Sequence, residues 1–350
     1  MPASRFSDSA REIVIIRIPN KMLNEYTDDQ LRMIARLYYL DGLGQNEVAQ
    51  FAKVSQAKVS RLLAAARERG IVRISVSDYE PRRRELEEKL QAQLGLATVV
   101  VLKQNGGPES ADLLRAVGHF GASAVDALIQ RGDVVALAGG RTLHELVHHL
   151  PATRAKSLTV VQAMGSVDSN VSVFDAQEVG RVLTQRLGGV FLSLNTPAFV
   201  PEKGIRDAIL KLEQVRSVHA HLDRARVALV GLGTLDNSVF VERGTVTPSM
   251  SAELTAAGAV GEVCGRFINA AGEECATSWR DRVIGVEIGQ LRKIPQVIAI
   301  VSGSDRSGAI LAAVAGRLIK ALVIDELGAS ALLAQASLAC TKAPRKKVRK

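Results

Sequence analysis

Three glycine-rich turns collect hydroxyl, carboxylate and cationic groups of the kind that hold a small polar molecule. They are Gly139-Gly140-Arg141-Thr142 in ALAGGRTLHEL, Gly231 to Asp236 in LVGLGTLDNS, and Ser302 to Ser307 in IVSGSDRSGAI. Each follows an apolar run and precedes helical spacing, so glycine admits close backbone approach while helix N-terminal amides favour an anion, and the three turns together point to a polar anionic ligand. Gly165, Gly231, Gly233, Thr234, Asp236, Glu262, Ser304, Asp305 and Arg306 join Gly139, Gly140, Arg141 and Thr142 as the expected ligand set. None of the turns matches GxGxxG or GxxxxGK[ST], which disfavours a nucleotide.

His144 to His148 spells HELVH, the histidine pair of a zinc hydrolase. Pro151 ends that helix, no third ligand follows, and Leu143, Leu146 and Val147 are needed to pack it on a sheet, so no metal is expected. His219 and His221 read as ordinary histidines. Catalysis on the bound molecule would need a general base and a proton shuttle. Asp236, Glu262 and Asp305 are candidates, but no histidine–carboxylate pair stands in the turns. An enzyme is the alternative, and binding without turnover or cofactor is the reading taken.

A second group of residues addresses nucleic acid. Gln56-Ala57-Lys58-Val59-Ser60-Arg61 opens a helix whose Val59, Leu62, Leu63 and Ala66 fall on one face. Glutamine pairs with adenine, arginine or lysine with guanine, and Ala57 can touch a thymine methyl. Ser55 is placed to cap this helix, and Gln45 begins a shorter one where a phosphate can sit. Thr27-Asp28-Asp29 starts another, with Leu31, Ile34, Ala35 and Tyr38 at helical spacing. After Gly70, Ile71 to Val76 alternates as a strand should. Helix, helix, tight turn, helix, strand is a winged helix-turn-helix, whose third helix enters the major groove. The expected DNA contacts are Gln45, Ser55, Gln56, Ala57, Lys58, Ser60, Arg61 and Arg73. A three-helix protein-interaction module would share the core pattern but has no need of the exposed polar face.

The elements behind the turns are ATVVVL, DVVALA, SLTVVQ, GGVFLSL, ARVALVGLG, PQVIAIVSG and ALVID, separated by amphipathic spacing such as Ala111 to Ile129. Near-continuous apolar strands imply a parallel, Rossmann-like α/β sheet covered on both faces, with ligands at its carboxyl rim. Between the two parts, Arg84 to Leu94 carries Leu86, Leu90 and Leu94 on a narrow stripe that suits either a second subunit or the chain's own sheet.

Composition narrows the class. At 350 residues and 47% hydrophobic the chain holds one small and one larger core. Three cysteines without paired spacing suit a reducing cytosol, and no apolar run approaches the roughly 20 residues of a membrane span. The opening segment, with its apolar Ile13 to Ile18 patch, lacks a cleavage site and does not read as a signal peptide. A cytoplasmic location is expected. Net charge is +9, but KAPRKKVRK at the end carries six of those charges, so bulk charge says little about DNA. From Gln45 to Arg73, however, six basic residues oppose two acidic ones.

Over about residues 30–335 the chain resembles the SorC-type sugar-binding transcriptional regulators of bacteria. The resemblance rests on ARLYYLDGLGQNEVAQFAKVSQAKVSRLLAAARERGIVRISV, then GGRTL, ALVGLGT, GAVGEVCGRFINAAGEE, RVIGVEIGQLRKIPQVIAIVSG and AILAAVAGRLIKALVIDELGASALL. It implies a winged-helix DNA-binding domain fused to an effector domain similar to phosphosugar isomerases, which makes the enzyme alternative a phosphosugar isomerase or deaminase carrying a DNA-binding arm. It also implies a homo-oligomer, usually a tetramer, whose hold on an operator in double-stranded DNA responds to a sugar, polyol or sugar phosphate. The expected division is an extension over 1–26, the DNA-binding domain over 27–78, a linker helix over 79–95, the effector domain over 96–336 and a basic tail over 337–350. Two departures stand out. Where the family commonly has Gly-Gly-x-x-Lys, this chain has Ser302-Gly303-Ser304-Asp305-Arg306, so Arg306 replaces the cation or the preference moves to a neutral sugar or polyol. The Gly139-Gly140 pair stands where an aromatic before the second glycine is common.

Overall fold

The computed structural model describes residues 26–104, 110–169 and 172–342. The Ile13–Ile18 patch and the tail from residue 343 lie outside the described residues. The chain forms two compact units, one ending at Tyr79 and the other beginning at Glu80.

In the first unit Thr27 caps α1 (Asp28–Tyr39), accepting from Gln30 N while the Gln30 side chain accepts from Thr27 N. Helix α2 (Gln45–Phe51) and helix α3 (Gln56–Glu68) follow, separated by a tight turn. Ser55 Oγ accepts from Lys58 N at 3.2 Å and fixes where α3 begins. Leu31, Ile34, Val48, Val59, Leu62 and Ala66 form a core of their own. Arg69 ties the end of α3 to the start of α1 through Asp28 Oδ1 and Tyr26 O, both at 2.9 Å. The expected wing strand is corrected: Ile71 to Val76 pairs with no strand among the described residues, and Ile74 and Val76 are exposed. Alternation prepares a strand, but only a ladder partner makes one.

The second unit opens with α4 (Arg84–Leu94), and its leucine stripe is resolved. Leu90 is fully buried as α4 packs on β1 (Thr98–Leu102) and on the C-terminal helix. The buried Glu87 carboxylate holds Arg82 through two 2.7 Å bonds and accepts from Val101 N at 3.0 Å. The chain then alternates through α5 (Ser110–Leu128), β2 (Val134–Leu137), α6 (Arg141–His149), β3 (Leu158–Gln162), α7 (Ala176–Leu187) and β4 (Gly189–Leu192). Helices α8 (Lys203–Lys211) and α9 (Glu213–Leu222) lead to β5 (Val227–Val230), followed by α10 (Val239–Glu242) and α11 (Pro248–Ala256). A hairpin of β6 (Ala259–Val263) and β7 (Arg266–Asn269) precedes α12 (Ile288–Lys293), β8 (Gln296–Ile300), α13 (Ser307–Ala315), β9 (Ala321–Asp325) and α14 (Glu326–Lys342). Helix α14 thus runs past residue 336, the expected end of the effector domain.

Seven strands form one parallel sheet in the order β1-β9-β8-β5-β2-β3-β4. Every residue of β5 and β9 is buried although successive side chains point to opposite faces, so both faces are covered. This is the mainly parallel α/β architecture that the apolar runs predict.

Candidate functional site

Strand order reverses between β2 and β5: β2-β3-β4 runs one way, while β5-β8-β9 runs the other. The loops leaving two such strands diverge and open a crevice at their carboxyl ends. A cavity of about 500 Å³ lies there. Its wall combines Gly139 to Leu143 after β2, Gln162 and Met164 to Val167 around the end of β3, Gly231 to Gly233 after β5, and Ile300 to Ser302 with Arg306 after β8. The β6–β7 hairpin adds Glu262 and Cys264. It docks on the loop after β5, Gly233 N donating to Glu262 O at 2.9 Å and Glu262 N to Gly233 O at 2.8 Å. Its turn needs two residues in the left-handed region, and Cys264 (φ 50°) and Gly265 (φ 81°) supply them.

The structure therefore brings Gly139, Gly140, Arg141, Thr142, Gly165, Gly231, Gly233, Glu262 and Arg306 to one cavity. Thr234, Asp236, Ser304 and Asp305 do not line it. They build the loops instead. Thr234 Oγ1 accepts from Asp236 N at 3.3 Å, Ser304 O accepts from Ser307 Oγ at 3.3 Å, and Asp305 accepts from Asn237 Nδ2 at 2.5 Å and Arg306 Nη1 at 2.7 Å. The glycines also differ in purpose. A methyl on Gly139 would meet Phe174 O at 2.7 Å, and one on Gly165 would meet Pro197 O at 2.4 Å, so both admit the protein's own backbone. A methyl on Gly231 would meet nothing within 4 Å, so that glycine leaves room in the cavity.

Polar wall residues outside the expected set are Gln162, Ser166, Ser172, Asp175, Asn237, Glu242, Arg243 and Ser302. Gln162 ends a strand that the sequence shows plainly, so the carboxyl-rim rule was enough to find it. Its Oε1 accepts from Ser193 Oγ at 2.8 Å and Leu194 N at 3.0 Å. Glu242 ends α10 and Arg243 follows it, and that helix is too short to leave a periodic signal. Arg141 Nη2 lies 2.6 Å from Glu242 Oε1, and Arg243 lies 3.1 Å from Asp168 and 3.7 Å from Asp175. Glu262 is the buried carboxyl of the wall. Desolvation pushes its carboxyl up to about 7, opposed by bonds from Gly265 N at 2.5 Å and Ser238 Oγ at 3.5 Å.

The HELVH histidines sit one turn apart with ring centroids 4.2 Å apart, and His148 Nδ1 lies 2.8 Å from His144 O. Burial, then the neighbouring His148, lowers the His144 pKa. No metal-holding cluster of His, Cys, Asp or Glu occurs among the described residues, and no helix among them is long and apolar enough to cross a membrane.

In the first unit Gln56, Ala57, Ser60, Arg61 and Arg73 are exposed. Lys58 is half-buried, its Nζ 5.1 Å from the centre of the Tyr26 ring, and Ser55 is engaged as the helix cap. Gln56 Nε2 donates to Gln45 Oε1 at 3.0 Å.

A parallel sheet with a glycine-lined, hydroxyl-bearing crevice at its switch point defines a binding domain for a small polar molecule. Residues 81–334 match the family model described as "Putative sugar-binding domain", and the chain belongs to that family. The SorC-type resemblance holds in the comparisons as well. The sorbitol operon regulator of Klebsiella pneumoniae is 28% identical over 315 residues, covering 87% of this chain and 98% of its own length. The erythritol catabolism regulatory protein EryD of Brucella abortus is 28% identical, covering 88% and 98%. The crystal structure of full-length SorC from K. pneumoniae superposes with a TM-score of 0.66 at 27% identity, covering 87% of this chain and 99% of that one.

Proposed function

We propose that the protein is a DNA-binding transcriptional regulator whose hold on an operator is governed by a sugar, polyol or sugar phosphate seated in the cavity. The observation that carries this reading is one chain with both an exposed polar face at the front of α3 and a polar crevice at the sheet's switch point. The matched relatives, named as a sorbitol operon regulator and an erythritol catabolism regulatory protein, align over both parts. That alignment supports binding over turnover.

In this reading Gln56, Ala57, Ser60 and Arg61 meet base edges, while Gln45 and Arg73 meet phosphates. Lys58, drawn toward Tyr26, and Ser55, held as a cap, serve the shape of the unit. Gly140, Arg141, Thr142, Gly231, Glu262 and Arg306 meet the effector, and Gly139 and Gly165 shape its cavity. The protein works in the cytoplasm as a homo-tetramer, so that paired recognition helices reach two half-sites and the effector favours one arrangement of subunits over another.

A thermal-shift series with sugars, polyols and their phosphates, run beside turnover assays on the same compounds, tests the reading. At least one compound should raise the melting temperature without being consumed, because a ligand that binds only the folded state stabilises it. Conversion of any of them to product would replace the regulator with the enzyme.

A further inference from the structure

We infer that the effector is an uncharged polyhydroxy molecule, a polyol or free sugar, and not its phosphate ester. This rests on the cavity being the effector site. Three arginines line the cavity, and no lysine or histidine does among the described residues. Each arginine already faces a carboxylate of the protein. Arg141 pairs with Glu242 at 2.6 Å, Arg243 with Asp168 at 3.1 Å and Asp175 at 3.7 Å, and Arg306 with Asp305 at 2.7 Å. Arg306 also donates to Leu232 O at 3.1 Å and Ser302 O at 2.8 Å. Glu262 adds a fifth carboxyl group. Asp175, Glu242 and Glu262 line the cavity, while Asp168 and Asp305 hold their arginines from outside its lining. Counted with these partners, the three guanidinium groups leave no net positive charge, even with Glu262 protonated.

A phosphate monoester carries roughly −1.5 to −2 at neutral pH and accepts far more hydrogen bonds than it donates. To seat one here, an arginine must leave its carboxylate, and that carboxylate must stay close to the incoming anion. Both steps oppose binding. A hydroxyl group meets no such conflict, since it accepts from a guanidinium and donates to the carboxylate beside it. An arginine–carboxylate pair thus presents the donor and acceptor that neighbouring hydroxyls complete. Thr142, Ser166, Ser172, Asn237 and Ser302 extend the same two-way bonding around the wall. The first-turn amides of α6 favour a phosphate oxygen by about two- to fivefold (about 0.3–1 kcal/mol), too little to offset the paired carboxylates, and they serve a hydroxyl oxygen as well.

The test is calorimetry on the full chain with matched pairs: erythritol and erythritol 4-phosphate, sorbitol and sorbitol 6-phosphate, fructose and fructose 6-phosphate. Inorganic phosphate is the bare charge probe. An uncharged member should bind at least about tenfold more tightly than its phosphate, a difference of about 1.4 kcal/mol. Inorganic phosphate should not bind the wild type. A phosphate ester that binds as tightly as its parent, or inorganic phosphate binding to the wild type, overturns the inference. The double variant Asp168→Asn with Asp175→Asn, checked for folding by circular dichroism, decides the matter whichever sugar is correct. Freeing Arg243 should create inorganic phosphate binding that the wild type lacks. If no sugar binds but this gain appears, the charge matching stands and the sugar reading falls. If no gain appears, the charge matching falls.

Discussion

The side-chain amide of Gln56 donates to that of Gln45 at 3.0 Å, joining the first residue of α3 to the first residue of α2. A glutamine held through one end of its amide has a fixed orientation, and bidentate pairing with adenine demands one. Selection from random DNA should therefore show Gln56→Ala losing an adenine preference at one position, worth about 1–3 kcal/mol. Gln45→Ala should blur the same position. An unchanged selected motif in Gln56→Ala would remove that residue from base reading.

The cavity glycines separate shape from occupancy. Gly165→Ala presses a methyl onto Pro197 O and should cost about 1–3 kcal/mol of stability, read by chemical denaturation. Gly231→Ala enters open space and should leave stability within about 0.5 kcal/mol. The same methyl should weaken effector binding by about 1–3 kcal/mol, read by calorimetry. A Gly231→Ala protein with unchanged affinity would place the effector elsewhere.

Glu262 gives a pH signature. Its carboxyl is raised by burial from the ordinary 4.5 to about 7 in the folded protein. Its stabilising contribution is therefore complete below about pH 4.5 and is lost as pH rises through about 7. Glu262→Gln keeps the neutral shape at every pH. Melting temperatures of the wild type should fall behind those of the variant between pH 5 and pH 8. Parallel curves would show that the carboxyl titrates at its ordinary value.

Much of this architecture is legible in the chain because its cues are local. Apolar runs of four or five residues announce the parallel strands, and Thr27 and Ser55 announce where helices begin. The three glycine turns can be read because each is continuous in sequence. What escapes is what topology assembles. Asp175, Asn237, Glu242 and Arg243 reach the wall from loops and short helices joined only by the fold of the sheet. The Leu86–Leu90–Leu94 stripe shows that α4 must be covered, but not that β1 and α14 cover it. Ile71 to Val76 has the alternation of a strand, yet alternation cannot supply the neighbour a strand needs.

The most direct test of the account is fluorescence anisotropy of labelled promoter DNA from the protein's own gene region, titrated with the full chain with and without a compound that stabilises it. A compound seated in the cavity and linked to the arrangement of subunits should change the apparent Kd by at least about tenfold, or about 1.4 kcal/mol. Arg141→Ala should abolish that response while leaving DNA affinity in its absence intact. Superimposable titrations with and without a bound compound would contradict the account, because a ligand with equal affinity for both arrangements shifts nothing.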